Sequence, residues 1–372
     1  MKKYVALALA LMLAFTCLTG CGSSKEDTVM NVNGSEVSWD EYMYWLGAAA
    51  SELSSYYANY SDGAIDWDGT CMFDKSITNA EWCVKRAKET VAEIHTIDNK
   101  AKELGVTVSD EDMAAMDEQI ENVKTTYCTG DDPDAELKSF LEESFLTLDS
   151  YKTIMTMNLR YSNLYTELYG DNAEKLESEK VLEYAEENGF VTSAHILFST
   201  VDDEGEPLSE KAIAAKKEQA EKTAAELQAI TDETQRSERF FELMNELSED
   251  PGKESFPKGY CFTTGSMVEV YDTTSRELEP YAVSDPVESD YGFHVIMRIP
   301  TTADDTALTP NGSAPLRSIA APDFYAKDVE GWTAGVEAKS AGSYGKTDFT
   351  QFFTDEGFKF VSFEQYTAGG EA

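Results

Sequence analysis

The chain has 372 residues, with 70 acidic against 30 basic side chains and a net charge of −40. That length predicts two or three domains, each able to bury a core. The charge excludes nucleic acid, or any anionic surface, bound through broad electrostatics. It fits a solvated acidic surface and, as a second reading, attraction of basic clients or divalent cations.

Lys2 and Lys3 precede an apolar run from Val5 to Leu18, too short for a comfortable membrane span and followed by small residues. This is the pattern of a secretory signal over residues 1–20. Leu18-Thr19-Gly20-Cys21 resembles a bacterial lipobox, which implies lipidation of Cys21 and an extracytoplasmic, membrane-anchored protein. Residues 21–28, with Gly22, Ser23 and Ser24, read as a tether. An ordinary signal with a chance cysteine is the alternative. Of six cysteines, Cys71, Cys83, Cys128 and Cys261 then remain. Cys71 and Cys83 form the most plausible pair, and free packed thiols are an equal alternative. No Cys/His spacing points to zinc or another metal.

Thr28–Gly34 alternates and turns like a strand entering a hairpin. Ser38–Glu41 opens a helix with Tyr42, Trp45 and Leu46 on one face. Thr78 and Glu81 make a capping-box pattern ahead of a stripe of Val84, Ala87, Val91 and Ile94. Gly105 stops that helix, and Ser109 with Asp112 starts the next. His95 has no cysteine or histidine nearby and reads as structural or solvated. A helix near 135–148 leads to Tyr151–Tyr169, apolar nearly all round and so expected in the middle of a bundle. Glu174–Asn188 reads as a charged connector helix. Residues 29–190 thus form an arm that is helical beyond its opening strand, its aromatic and Met residues either core or a client groove.

The next stretch begins with a strand, Thr192–Thr200, and ends with another through Tyr291–Pro300. Between them, Ile213, Ala220, Ala224 and Leu227 share one helical face, and Phe240, Leu243, Met244 and Leu247 share a second. Four motifs mark this stretch: A-H-I-L at Ala194–Leu197, L-S-E-D at Leu247–Asp250, G-x-M at Gly265–Met267 and Y-G-F-H at Tyr291–His294. In this order and spacing, residues 191–300 resemble the parvulin family of peptidyl-prolyl isomerases. The strand-then-helix opening of the arm is similar to PrsA- and SurA-like foldases of that family. The resemblance implies an α+β protein: a small antiparallel sheet covered by helices, joined to a mainly α-helical chaperone domain.

By resemblance, His195 and His294 are a hydrogen-bonded pair beneath the active site, and Asp250 faces the substrate carbonyl. Met267 and Tyr271 match the proline-pocket methionine and aromatic, and Phe262 the pocket wall. Tyr291 stands where many members have a small or hydroxyl residue. The implied reaction needs no cofactor, because it only rotates an amide whose barrier is about 18–20 kcal/mol. Two departures imply low activity: Phe256–Tyr260 in place of a G-G-x-L-G turn, and Leu278-Glu279-Pro280-Tyr281 in place of leucine-x-x-glycine. The acidic run Val201–Glu204 after His195 offers no donor for phosphate.

Residues 301–314, rich in Thr, Ala, Asp and Pro, read as a linker. Residues 315–372 are too aromatic for disorder and are expected to complete the arm. The functional expectation is an extracytoplasmic isomerase and chaperone for exported proteins carrying X-Pro bonds. A parvulin-fold holdase without catalysis is a second reading. A solute-binding lipoprotein, which requires two βαβ lobes, is a third.

Overall fold

The computed structural model describes residues 27–60, 65–202, 204–342 and 344–369. Cys21 and the signal-like segment lie outside them. Two compact units divide the chain, one holding the residues up to Glu167 and from Tyr325 onward, the other Leu168–Phe324.

The first unit opens with the hairpin β1 (Thr28–Val32) and β2 (Ser35–Ser38). Asn33 and Gly34 both take positive φ in its turn, the conformation that matches the twist of a two-residue hairpin. A late strand, β9 (Lys339–Ser340), pairs antiparallel with β1, giving the order β2-β1-β9. Five helices follow the hairpin: α1 (Trp39–Tyr60), α2 (Asn79–Glu103), α3 (Asp110–Tyr127), α4 (Pro133–Glu143) and α5 (Leu148–Tyr169). Both capping boxes are present, Thr78 with Glu81 and Ser109 with Asp112. The apolar residues of α5 do not place it mid-bundle. Tyr151, Ile154, Met157 and Leu164 are buried while Thr153, Ser162 and Thr166 face solvent, so it packs through one stripe. His95 is structural: its Nε2 lies 2.8 Å from Glu41 Oε1, with both side chains buried. Cys71, Cys83, Cys128 and Cys261 are buried free thiols.

Trp39, at the start of α1, is fully buried where the C-terminal segment closes over the helix. The Tyr366 ring stacks on it at 4.1 Å and Phe349 lies at 5.1 Å. The indole N–H donates to the Val361 carbonyl at 2.7 Å, and the Phe363 N–H donates to Asp40 at 2.9 Å. A buried Trp with its one donor satisfied contributes both area and direction.

The second unit contains α6 (Ser178–Glu187), then β3 (Val191–Ser199), α7 (Glu210–Gln228) and α8 (Glu233–Leu247). These are followed by β4 (Tyr260–Phe262), α9 (Glu269–Glu277), β5 (Val287–Ser289), β6 (Gly292–Ile299), β7 (Thr306–Thr309) and β8 (Gly312–Pro315). Its sheet has the order β5-β6-β3-β4-β7-β8, antiparallel except between β4 and β7. Such a sheet is not the pair of βαβ lobes that the solute-binding reading required. Successive strand residues point to opposite faces. Ala194, Ile196 and Phe198 of β3, with Phe293, Val295 and Met297 of β6, pack on Ala220, Ala224 and Leu227 of α7 and Phe240 and Met244 of α8. Alternation sends Ser193, His195, His294 and Ile296 to the other face.

The expected linker at 301–314 is largely a hairpin. Thr306–Thr309 and Gly312–Pro315 pair across Pro310-Asn311, and Ala307 is fully buried beside β4. Short Thr- and Ala-rich strands with a Pro-Asn turn share their composition with linkers, which is why the reading failed. Asp305 anchors the entry, accepting from Thr192 Oγ1 at 2.7 Å.

All five tryptophans belong to the first unit, so their fluorescence reports its unfolding alone. Trp39→Ala is expected to cost the first unit about 3–5 kcal/mol, read from guanidinium curves. A loss under about 1 kcal/mol would show that the C-terminal segment does not hold this unit together.

Candidate active site

β3 and β6 run antiparallel with Leu197 opposite His294 and His195 opposite Ile296. The two histidines are therefore diagonal neighbours on one face. Their Nδ1 atoms lie 2.8 Å apart with the rings nearly parallel. Both are more than nine-tenths buried.

The L-S-E-D segment runs alongside β3. Leu197 N–H donates to Ser248 Oγ at 3.1 Å, and Glu249 N–H donates to the Leu197 carbonyl at 2.9 Å. This brings Asp250 to His195, whose Nε2 lies 3.0 Å from Oδ2. The Tyr260 hydroxyl donates to the same oxygen at 2.6 Å, and Gly252 N–H donates to Oδ1 at 3.1 Å, capping the turn Pro251–Glu254. At the other end Ser289 Oγ lies 2.7 Å from His294 Nε2. Below the pair, the buried Tyr271 ring stands edge-on to His195 at 5.1 Å and to His294 at 5.9 Å. Its hydroxyl belongs to a set with Ser193 and Ser275.

With Asp250 ionised and both rings neutral, one proton arrangement satisfies every partner. Asp250 accepts from His195 Nε2–H, His195 Nδ1 accepts from His294 Nδ1–H, and His294 Nε2 accepts from Ser289 O–H. Burial pulls the Asp250 carboxyl up, but donation from His195 and Tyr260, the charge of His195 and the Gly252 N–H together bring it down to about 2. Burial first, and then the neighbouring His195, push His294 down to about 4. Burial and the Asp250 charge raise the Tyr260 phenol, so it stays a donor. At neutral pH the site sets an Asp250 carboxylate and a neutral His294 imidazole on either side of His195.

Beside this chain lies an apolar cluster. Val191, Tyr260, Phe262, Tyr271 and Ile296 are buried, and Phe256 and Met267 pack against them half-buried. Phe262 and Tyr271, expected to touch substrate, are instead walled in, at 0% and 1% exposure; they support the layer that Met267 presents. Asp250, expected on the open face, has a side chain only 13% exposed, its oxygens being taken up by His195, Tyr260 and Gly252. Tyr291 sits on the β5–β6 turn with 56% exposure and joins the network through its backbone, its N–H donating to Ser289 Oγ at 3.2 Å. Tyr260, Ser248 and Ser289 were missed. Only for Tyr260 was there a signal: it stands two residues before Phe262 on the same strand, so alternation puts both on one face. Among the described residues no group of three or more His, Cys, Asp or Glu could hold a metal ion.

A family model described as Rotamase, PPIC-type PPIase domain, matches residues 195–299. A foldase protein PrsA from Geobacillus kaustophilus is 40% identical over 77 residues, 20% of this chain and 26% of that protein. A foldase protein PrsA from Oceanobacillus iheyensis is 25% identical over 193 residues, 51% of this chain and 55% of its own length. The chain thus spans about a quarter to a half of the curated relatives it matches. Among solved structures, PrsA from Bacillus subtilis covers 73% of this chain and 91% of its own at 19% identity, with a TM-score of 0.24. His195, Asp250, Met267 and His294 all fall within residues 195–299, the segment that the model of PPIC-type, or parvulin, peptidyl-prolyl isomerase domains matches.

Proposed function

We propose that this protein is a peptidyl-prolyl cis–trans isomerase acting as a membrane-anchored, extracytoplasmic foldase on exported proteins. The observation that carries the reading is the apolar layer under Met267 set directly against the buried His195–His294 pair. Turning an X-Pro bond requires no bond to break. The twisted amide has lost its resonance, and a site that holds the proline ring against apolar side chains favours it over either planar form. Met267 supplies that contact, and the layer beneath keeps it from yielding. The hydrogen-bonded chain from Ser289 to Asp250 gives a floor with fixed dipoles and satisfied polar groups. None of these side chains exchanges a proton with substrate.

The acidic residues Asp202 and Glu204 after β3 disfavour a phosphorylated residue before proline. The helical unit, with its C-terminal segment, serves as the chaperone arm. The relatives' printed name, foldase protein, supports this pairing of roles. Lipid on Cys21 anchors the chain to the cell membrane; among the described residues no helix is long and apolar enough to cross it. Stable anchoring takes at least two acyl chains or a second attachment.

The deciding experiment is exchange NMR on an unphosphorylated X-Pro peptide with the full chain. Acceleration is expected, with no gain from a phosphoserine before proline, and Met267→Ala should lower kcat/KM about tenfold by removing apolar contact. Folded protein that leaves the exchange rate unchanged would sink the isomerase reading and leave a holdase. For the anchor, Cys21→Ala should release the protein from membranes or leave it unprocessed. A variant that fractionates and migrates like its parent would rule the lipid out.

A further inference from the structure

Asp250 has one more donor than orienting His195 requires. Beyond the Gly252 N–H and His195 Nε2, it accepts the Tyr260 hydroxyl at 2.6 Å, the shortest of its three bonds. Two glycines clear the way for that hydroxyl. A Cβ on Gly252 would stand 2.0 Å from the Tyr260 oxygen. Gly259, at φ +94°, lies so close to β3 that a Cβ there would stand 2.6 Å from the Ser193 carbonyl oxygen, and this approach sets where Tyr260 starts. The ring is then held against Phe256 at 4.7 Å and edge-on to His195 at 5.8 Å.

We infer that Tyr260 is a positioning residue: its hydroxyl holds Asp250 as a fixed, ionised acceptor and thereby dictates which nitrogen of His195 and of His294 carries the proton. The alternative arrangement is concrete. An Asp250 that takes up one proton from solvent donates from Oδ2 to His195 Nε2. His195 then carries its proton on Nδ1 and donates to His294 Nδ1, and His294 Nε2–H donates to Ser289. Every proton in the chain points the opposite way, and Ser289 changes from donor to acceptor. Burial favours the protonated carboxyl, and a second donor on Oδ2 opposes it. Without Tyr260, the carboxylate also regains rotation about its Cβ–Cγ bond. The inference rests on the isomerase reading only where activity is the readout.

Nitrogen-15 NMR of the full chain, labelled at histidine, tests it. There are three histidines, and His95, bonded to Glu41 in the other unit, serves as the reference. The parent should show His195 protonated at Nε2 and His294 at Nδ1. In Tyr260→Phe both rings should move together toward tautomer-averaged shifts while His95 stays put. Its kcat/KM for an X-Pro peptide should fall about tenfold with KM little changed. A parent with both rings in the same tautomer overturns the inference without any variant, so a Tyr260→Phe protein that fails to fold leaves it testable. Tyr260→Phe rings that match the parent's overturn it too, whatever happens to activity. A parent that is inactive but shows His195 protonated at Nε2 and His294 at Nδ1, with both rings shifted in Tyr260→Phe, refutes the isomerase reading and upholds this one; the reversed tautomers in the parent overturn it.

Discussion

The bond between His195 Nδ1 and His294 Nδ1, 2.8 Å long and buried, constrains everything around it. Two imidazoles facing each other through the same atom need one donor and one acceptor. Two charged rings would bring two protons into one gap in a low-dielectric interior. His294, which burial keeps neutral, can then donate from only one nitrogen, and where both rings are neutral their outer nitrogens must be opposite in kind. An acceptor has to stand at one end and a hydroxyl donor at the other. Asp250 and Ser289 meet those needs, and the strand register meets the geometric one by placing the two rings diagonally on a single face.

From that constraint follows a division of labour across the sheet. The face toward α7 and α8 carries the apolar cluster that holds the second unit together. The other face carries the polar chain and, beside it, the small apolar cluster under Met267. Placing satisfied polar groups next to a desolvated surface is costly unless every donor finds an acceptor. Here the chain terminates cleanly at both ends. Catalysis by a surface that selects a twisted amide depends on such rigidity more than on any reactive group, since the surface must not relax around the planar forms.

Much of this was legible in the residues. The amphipathic stripes of α7 and α8 and both capping boxes could be read because each repeats at the period of its element or sits at a fixed offset, and the paired histidines were read from the resemblance to parvulins. What escaped was set by tertiary contact. Asp250 looked like a surface acid facing substrate, yet Ser248 pins its segment to β3 and turns the carboxylate inward. Ser289 lies five residues before His294, a spacing with no meaning until a two-residue turn folds one strand onto the other. Phe262 and Tyr271 were assigned to the substrate surface, and packing drew them beneath it. The β7–β8 hairpin was lost because its composition matches that of a linker and its pairing partner is β4, far back in the chain.

The central claim is that His294 is neutral because it is buried against His195, and the titration of the His294 ring in the folded full chain tests it most directly. The ring should titrate near pH 4, against an ordinary 6.5. A histidine whose folded pKa is depressed adds stability that is fully present above its unfolded pKa. That stability is lost as pH falls through the window from 6.5 to about 4, for a total of roughly 3 kcal/mol by linkage. At pH 5 the account predicts a neutral His294 and a second unit already weakened but folded. A ring half-protonated near 6.5 in the folded protein, with stability flat across that window, would contradict it.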